Sequence, residues 1–106
     1  MEKILNYING ELLEPSSKSY IENIDPSCGK AYSLVPDSCA NDVNEAVKSA
    51  KGAYSFWSKT TKQERSDFLN KLADAIEENF DVLVAAESRD NGKPLSLAAK
   101  VDIPRA

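Results

Sequence analysis

Cys28 and Cys39 are the strongest nucleophile candidates in the sequence, and the absence of histidine limits what either can do. Without histidine there is no Ser-His-Asp or Cys-His site within the chain, and the commonest zinc ligand is missing. Two cysteines make no disulfide framework, and neither belongs to a C-x-x-C pair. Cys28 sits in Asp25-Pro26-Ser27-Cys28-Gly29-Lys30, which reads as a turn because proline presets φ and glycine permits a left-handed residue. Cys39 precedes the first expected helix, where the helix dipole can lower a thiol pKa. With no base for either thiol, both read as structural, and no catalytic residue is expected in this chain.

Asp90 is the next candidate. It falls near an expected helix C-terminus, where the dipole disfavours negative charge, so something must compensate it. Solvent, Arg89 or Lys93 would suffice. The neighbouring Asn91-Gly92-Lys93-Pro94 has one glycine and one lysine, too few for a phosphate loop, and reads as a helix stop followed by a helix start. Trp57, Phe56, Phe68 and Phe80 read as core or interface anchors, since no basic face surrounds them. Asp74, Glu77, Glu78 and Asp81 read as a solvated face.

The elements that must position these residues fall into two zones. Residues 1–37 read as short strands and turns, and residues 38–106 as helical. Asn9-Gly10 is a two-residue hairpin signal between strand-like residues and Glu11-Leu12-Leu13. Tyr20 to Ile24 and Ala31 to Val35 are the next strands, flanking the Asp25–Lys30 turn. The first helix carries Val43, Ala46, Val47, Ala50, Ala53, Tyr54 and Trp57 at spacings of three and four. The second opens on a capping box, Thr61 with Glu64, and carries Phe68, Leu69, Leu72, Ala75 and Ile76. Asn79 is expected to cap a third helix, which ends at Asn91-Gly92. Pro94 suits the first turn of a fourth, Leu95 to Asp102, and Pro104 should kink or restart it. The fold class expected is α+β: short antiparallel strands followed by about four helices. No strand follows the helices, so no β-α-β crossover is expected.

The 106 residues suffice for one small domain of ordinary globular composition. Thirteen basic against 17 acidic residues give a net charge of −4, which argues against nucleic acid as a partner. No apolar run approaches the roughly 20 residues that span a membrane, and the first residues lack a signal-peptide core, so a cytoplasmic chain is expected.

The ordered set of fragments is more telling than any one of them. Tyr7-Ile8-Asn9-Gly10-Glu11, Asn23-Ile24-Asp25-Pro26-Ser27 with Gly29, and Asp42-Val43 with Ala46-Val47 and Ala50 come first. Trp57, Glu64-Arg65, Leu72-Ala73-Asp74, Glu87-Ser88 and Asn91-Gly92-Lys93-Pro94 follow. Together these resemble the opening of an NAD(P)-dependent aldehyde dehydrogenase over residues 5–106. Asp102-Ile103-Pro104-Arg105 is most similar to the 2-aminomuconic semialdehyde type within that family, and the betaine-aldehyde type is also similar.

The resemblance implies that the segment forms the outer part of an α/β cofactor-binding domain. It also implies a longer protein that oxidises an aldehyde to an acid through a cysteine thiolate, hydride transfer to NAD or NADP, and a glutamate-activated water. The residues for those steps would lie downstream of Ala106, and neither Cys28 nor Cys39 fits the family's catalytic-cysteine motif. The fragment itself is therefore expected to bind no cofactor and to be inactive.

The resemblance also offers the sharper reading of Asp90. In several family members a monovalent cation is held by an aspartate at this position and by backbone carbonyls at the positions of Asn23 and Ile24. Oxygen-only ligands suit a hard cation. Compensation by solvent or a neighbouring base remains the simpler alternative.

Two readings of function follow. One is a truncated N-terminal part of an aldehyde dehydrogenase, to which the lack of a capping glycine or polar tail after Val101 points; its partner would be the rest of such a chain or subunit. The other is a stand-alone small module that binds another protein. In either case the third helix is apolar on most of its surface, with Phe80, Val82, Leu83, Val84, Ala85 and Ala86. Such a helix is normally buried on several sides, so exposed apolar surface and self-association are expected.

Overall fold

Asn9 and Gly10 both adopt positive φ, 54° and 80°, as a two-residue hairpin turn requires. The computed structural model describes all 106 residues. The turn joins β2 (Asn6–Ile8) to β3 (Glu11–Leu13) in an antiparallel ladder that pairs Asn6 with Leu13 and Ile8 with Glu11. A second sheet has the order β1-β5-β4, from β1 (Glu2–Lys3), β4 (Tyr20–Asp25) and β5 (Lys30–Pro36).

The strand zone differs from expectation in one pairing. β1 and β5 run parallel, with Glu2 opposite Ser33 and Lys3 opposite Leu34, and Ile4 N donates to Leu34 O at 2.8 Å. A parallel pair needs a long connection, and here the hairpin and β4 supply it in place of a helix. The expectation that no strand follows the helices holds.

Helices α1 (Ala40–Trp57), α2 (Lys62–Glu78) and α3 (Phe80–Asn91) lie where their apolar spacings place them. α2 begins on the expected capping box: Glu64 N donates to Thr61 Oγ1 at 3.1 Å, and Thr61 N donates to Glu64 Oε2 at 2.6 Å. α3 ends at Gly92, whose φ of 77° closes the helix in the left-handed region.

Two helix ends depart from expectation. Asn79 makes no side-chain cap for α3; its amide instead donates to Ala75 O at 2.8 Å and closes α2, because an asparagine N–H₂ matches the orphan carbonyls of the helix behind it. Pro94 stands as the N-cap, its carbonyl accepting from Leu97 N and Ala98 N, rather than inside the first turn.

The last helical run also has a fault in it. α4 (Leu95–Leu97) widens into a π-helical segment (Ala98–Asp102) before α5 (Ile103–Arg105). Pro104 has no N–H for the carbonyl four residues back and would crowd it. The wider turn, with Ile103 N–H bonded to Ala98 O, relieves that conflict.

The chain divides into a strand-rich unit, Met1–Ile24 with Ala31–Lys59, and a helical unit, Asp25–Lys30 with Thr60–Ala106. In the first, α1 lies beside the hairpin, and Ser49 Oγ donates to Asn9 Oδ1 at 3.3 Å. In the second, Val84 (7 % exposed) and Ala98 (0 %) form the apolar centre. No helix is long and apolar enough to cross a membrane. The chain exposes 8018 Å², where a folded monomer of its mass exposes about 5,800 Å².

Candidate functional site

Asp42, a buried carboxylate, organises the polar cluster around the Cys39 thiol. It accepts from Cys39 N through Oδ2 at 2.9 Å and from Ser16 N through Oδ1 at 3.0 Å. Cys39 is the N-cap of α1, and its thiol lies 3.2 Å from Ser16 Oγ. That hydroxyl, with the backbone N–H groups of Asp42 and Asn41, holds the Cys39 thiol below its ordinary pKa; burial and the Asp42 charge oppose the shift. The backbone N–H of Cys39, then that of Ser16, lowers the Asp42 pKa in the same way.

The chemistry available here is capping. Both carboxylate oxygens of Asp42 accept from backbone donors, which ties the loop at Ser16 to the first turn of α1. The arrangement is a capping box with cysteine where serine or threonine usually stands. Sequence reasoning missed Asp42 and Ser16 for that reason, although the three-residue spacing of Cys39 and Asp42 was visible.

Cys28 is exposed in the Asp25–Lys30 turn, with Cys28 N and Gly29 N both donating to Asp25 O. Asp25 Oδ1 accepts from Ser27 Oγ at 2.6 Å and Ser27 N at 2.9 Å, and these bonds, with Arg89 beyond them, lower its pKa. The turn is thus fixed by a carboxylate next to the thiol.

The residues around Asp90 form a second polar group. Gly92 N donates to Ser88 O, Ser88 Oγ donates to Lys93 O, and Lys93 N donates to Asn91 Oδ1. Lys93 Nζ lies 2.8 Å from Asp102 and 3.6 Å from Glu87; Asp102 foremost raises its pKa. Arg89 Nε lies 3.4 Å from Asp25. Asn23 and Ile24 are neighbours on β4 in the strand-rich unit, and Asn23 Nδ2 donates to Tyr32 Oη at 2.9 Å. Asp90 belongs to the helical unit. The cation reading rests on the resemblance alone, and no group of three His, Cys, Asp or Glu side chains is arranged to hold a metal.

Comparison with known proteins places these details in a longer frame. The chain is 50 % identical over 101 residues to the 2-aminomuconic semialdehyde dehydrogenase of Danio rerio, covering 95 % of this chain and 20 % of that protein. An aldehyde dehydrogenase of Bartonella henselae superposes with a TM-score of 0.94 at 27 % identity, over 98 % of this chain and 22 % of the other. That of Bacillus cereus, solved as an NAD⁺ complex, gives a TM-score of 0.92 at 34 % identity, over 97 % and 21 %. The chain spans about a fifth of the length of the curated relatives it matches. Residues 13–106 match the aldehyde dehydrogenase family, and the chain belongs to that family.

Proposed function

We propose that this chain supplies the opening part of an NAD(P)-dependent aldehyde dehydrogenase and has no turnover by itself. The observation that carries this reading is the asymmetry of coverage: 95 % of this chain aligns with 20 % of the Danio rerio protein. The geometry agrees with it. The Cys39 thiol sits against Ser16 Oγ at the N-cap of α1, Cys28 lies in a turn, and no histidine is present to activate either. Bound NAD(P) would accept hydride from the aldehyde carbon in the complete enzyme. This segment's own part is to cover and brace a neighbouring domain with α1, α2 and α3. Its partner is the remainder of an aldehyde dehydrogenase polypeptide.

The test is a pair of assays. The chain alone, with an aldehyde and NAD, should give no rate above a protein-free control. Fused in place of the matching 101 residues of the Danio rerio enzyme, it should give an active dehydrogenase. Turnover by the chain alone, lost on Cys28→Ala or Cys39→Ala, would overturn the proposal, as would an inactive, unfolded fusion.

The second reading, a stand-alone protein-binding module, draws on one observation. Val43, Val47, Tyr54 and Trp57 on α1 remain exposed, which is an interface's composition rather than a free surface's.

A further inference from the structure

β1 is two residues long, Glu2 and Lys3, and both are charged. It brings no apolar side chain to the sheet, so apolar burial cannot hold it there. Ser33, which pairs with Glu2 in register, is buried with an unpartnered hydroxyl, a cost at that position rather than a gain. The backbone contributes a short parallel pair with β5, extended by the bond from Ile4 N to Leu34 O.

The remaining fastening is Lys3. Its ammonium lies 3.5 Å from Glu14 Oε1 and 4.4 Å from the centre of the Tyr20 ring. The same carboxylate accepts from Tyr20 Oη at 3.2 Å and, through Oε2, from Lys18 Nζ at 2.9 Å. Lys18 foremost, then Tyr20 and Lys3, hold the Glu14 carboxyl below its usual pKa. One carboxylate thus ties together β1, the loop after β3 and the start of β4. Exposed ion pairs contribute little singly; several charges in one network are the exception.

The geometry points to an ionic strap: Glu14, acting through Lys3, closes β1 onto β5, and ionic strength sets how often the strap opens. When β1 leaves, β5 becomes the edge of its sheet at Ser33 and Leu34, with backbone groups free to pair with another strand. The device lies within the strand-rich unit and stands apart from the proposed function, so either can fail alone.

The test is amide hydrogen exchange in the whole chain, read as the protection of Ile4 N–H after correction for sequence. Glu14→Gln should lower that protection about two- to fivefold at low salt, the range that loss of exposed ion pairs spans. Lys3→Met, which keeps an unbranched side chain, should do the same. The double variant should fall short of the product of the two single effects, as coupled partners do. At about 1 M salt the original chain should approach Glu14→Gln, because screening then acts within a few ångströms. Glu45→Gln, on α1, makes the same change in net charge and should leave Ile4 as it was.

An Ile4 amide without protection in the original chain, or protection unchanged by Glu14→Gln, overturns the strap. Single effects that multiply in full leave Lys3 and Glu14 uncoupled and overturn it too. A difference that persists at high salt shows that the tie is not ionic. An equal fall in Glu45→Gln assigns the effect to net charge, and an equal fall at the β2–β3 hairpin amides assigns it to loosening of the whole unit; each of these also overturns the inference.

Discussion

In the strand-rich unit the buried positions are Pro15, Ser33 and Asp42, whereas in the helical unit they are Val84 and Ala98. The first is held by directional contacts: the Asp42 carboxylate ties Ser16 to the start of α1, and Asn6 Nδ2 donates to Ser38 Oγ at 2.9 Å. The second is held by shape. Ala98 is small enough to disappear beneath its neighbours, Gly92 lets the chain turn beside Pro26, and Val84 is buried on α3. A carboxylate centre responds to proton concentration and tolerates changes of volume; an apolar centre does the reverse. Each unit also leaves an apolar helix face in water, α1 in one and α2 in the other, so neither is finished by what it buries.

The most damaging change to this contrast is Val84→Asp. A charge without a partner in the apolar centre should cost about 3 kcal/mol or more and melt the helical unit first. Amide resonances of α2 and α3 should collapse while those of the β2–β3 hairpin persist; loss of both together would show that the two units fold as one.

Acid should strike the other unit. Asp42 has its pKa held below the ordinary value, so its contribution is complete above about pH 4 and is lost as pH falls through the lowered folded-state pKa. Asp42→Asn replaces one accepting oxygen with a donor that faces a backbone N–H. The variant should be destabilised at neutral pH and should lose the acid-dependent step at the start of α1. An unchanged acid profile would move that step to Glu14, the other carboxylate of this unit whose pKa is lowered.

Gly92→Ala compares one residue type across the units. A left-handed φ costs alanine about 1–2 kcal/mol, and the added Cβ would sit 2.9 Å from Pro26 Cγ, a ring that cannot swing away. Gly10→Ala bears the same kind of backbone strain with nothing within 4 Å. Thermal melts should therefore show a larger fall for Gly92→Ala, and equal falls would remove the Pro26 contact from the account. Smallest is Thr61→Ala, which should cost about 1 kcal/mol through the lost cap, read as a fall of roughly 4–8 °C in Tm for a domain of this size.

Much of this was legible in the residues. Asn9-Gly10, the Thr61–Glu64 spacing and Gly92 each require a particular backbone, so local chemistry alone placed their turns and ends. The apolar spacings located α1, α2 and α3, but periodicity marks the face that a helix seeks to bury and says nothing of whether a cover is present. The parallel β1–β5 pair escaped notice because two residues, Glu2 and Lys3, carry no period. Asn79 stands at the N-cap of α3 as its position suggests, but its side chain closes α2 instead, because an amide can serve either neighbour. Asp42 and Ser16 lie 26 positions apart, a separation at which one sequence shows no pairing.

The parallel pairing of β1 with β5 has a consequence in time. Glu2 meets Ser33 only after about thirty residues have been drawn into a loop, at an entropic cost on the order of 3 kcal/mol, for a strand of two residues. The Asn9-Gly10 hairpin closes across a two-residue turn and needs only microseconds. Glu2 and Lys3 must therefore wait for Leu34 before they have a place, while the Asn9-Gly10 hairpin needs only its own residues. Pulsed hydrogen exchange during refolding should find the hairpin amides protected before that of Ile4, and β1 should be among the last parts of the strand-rich unit to come to rest.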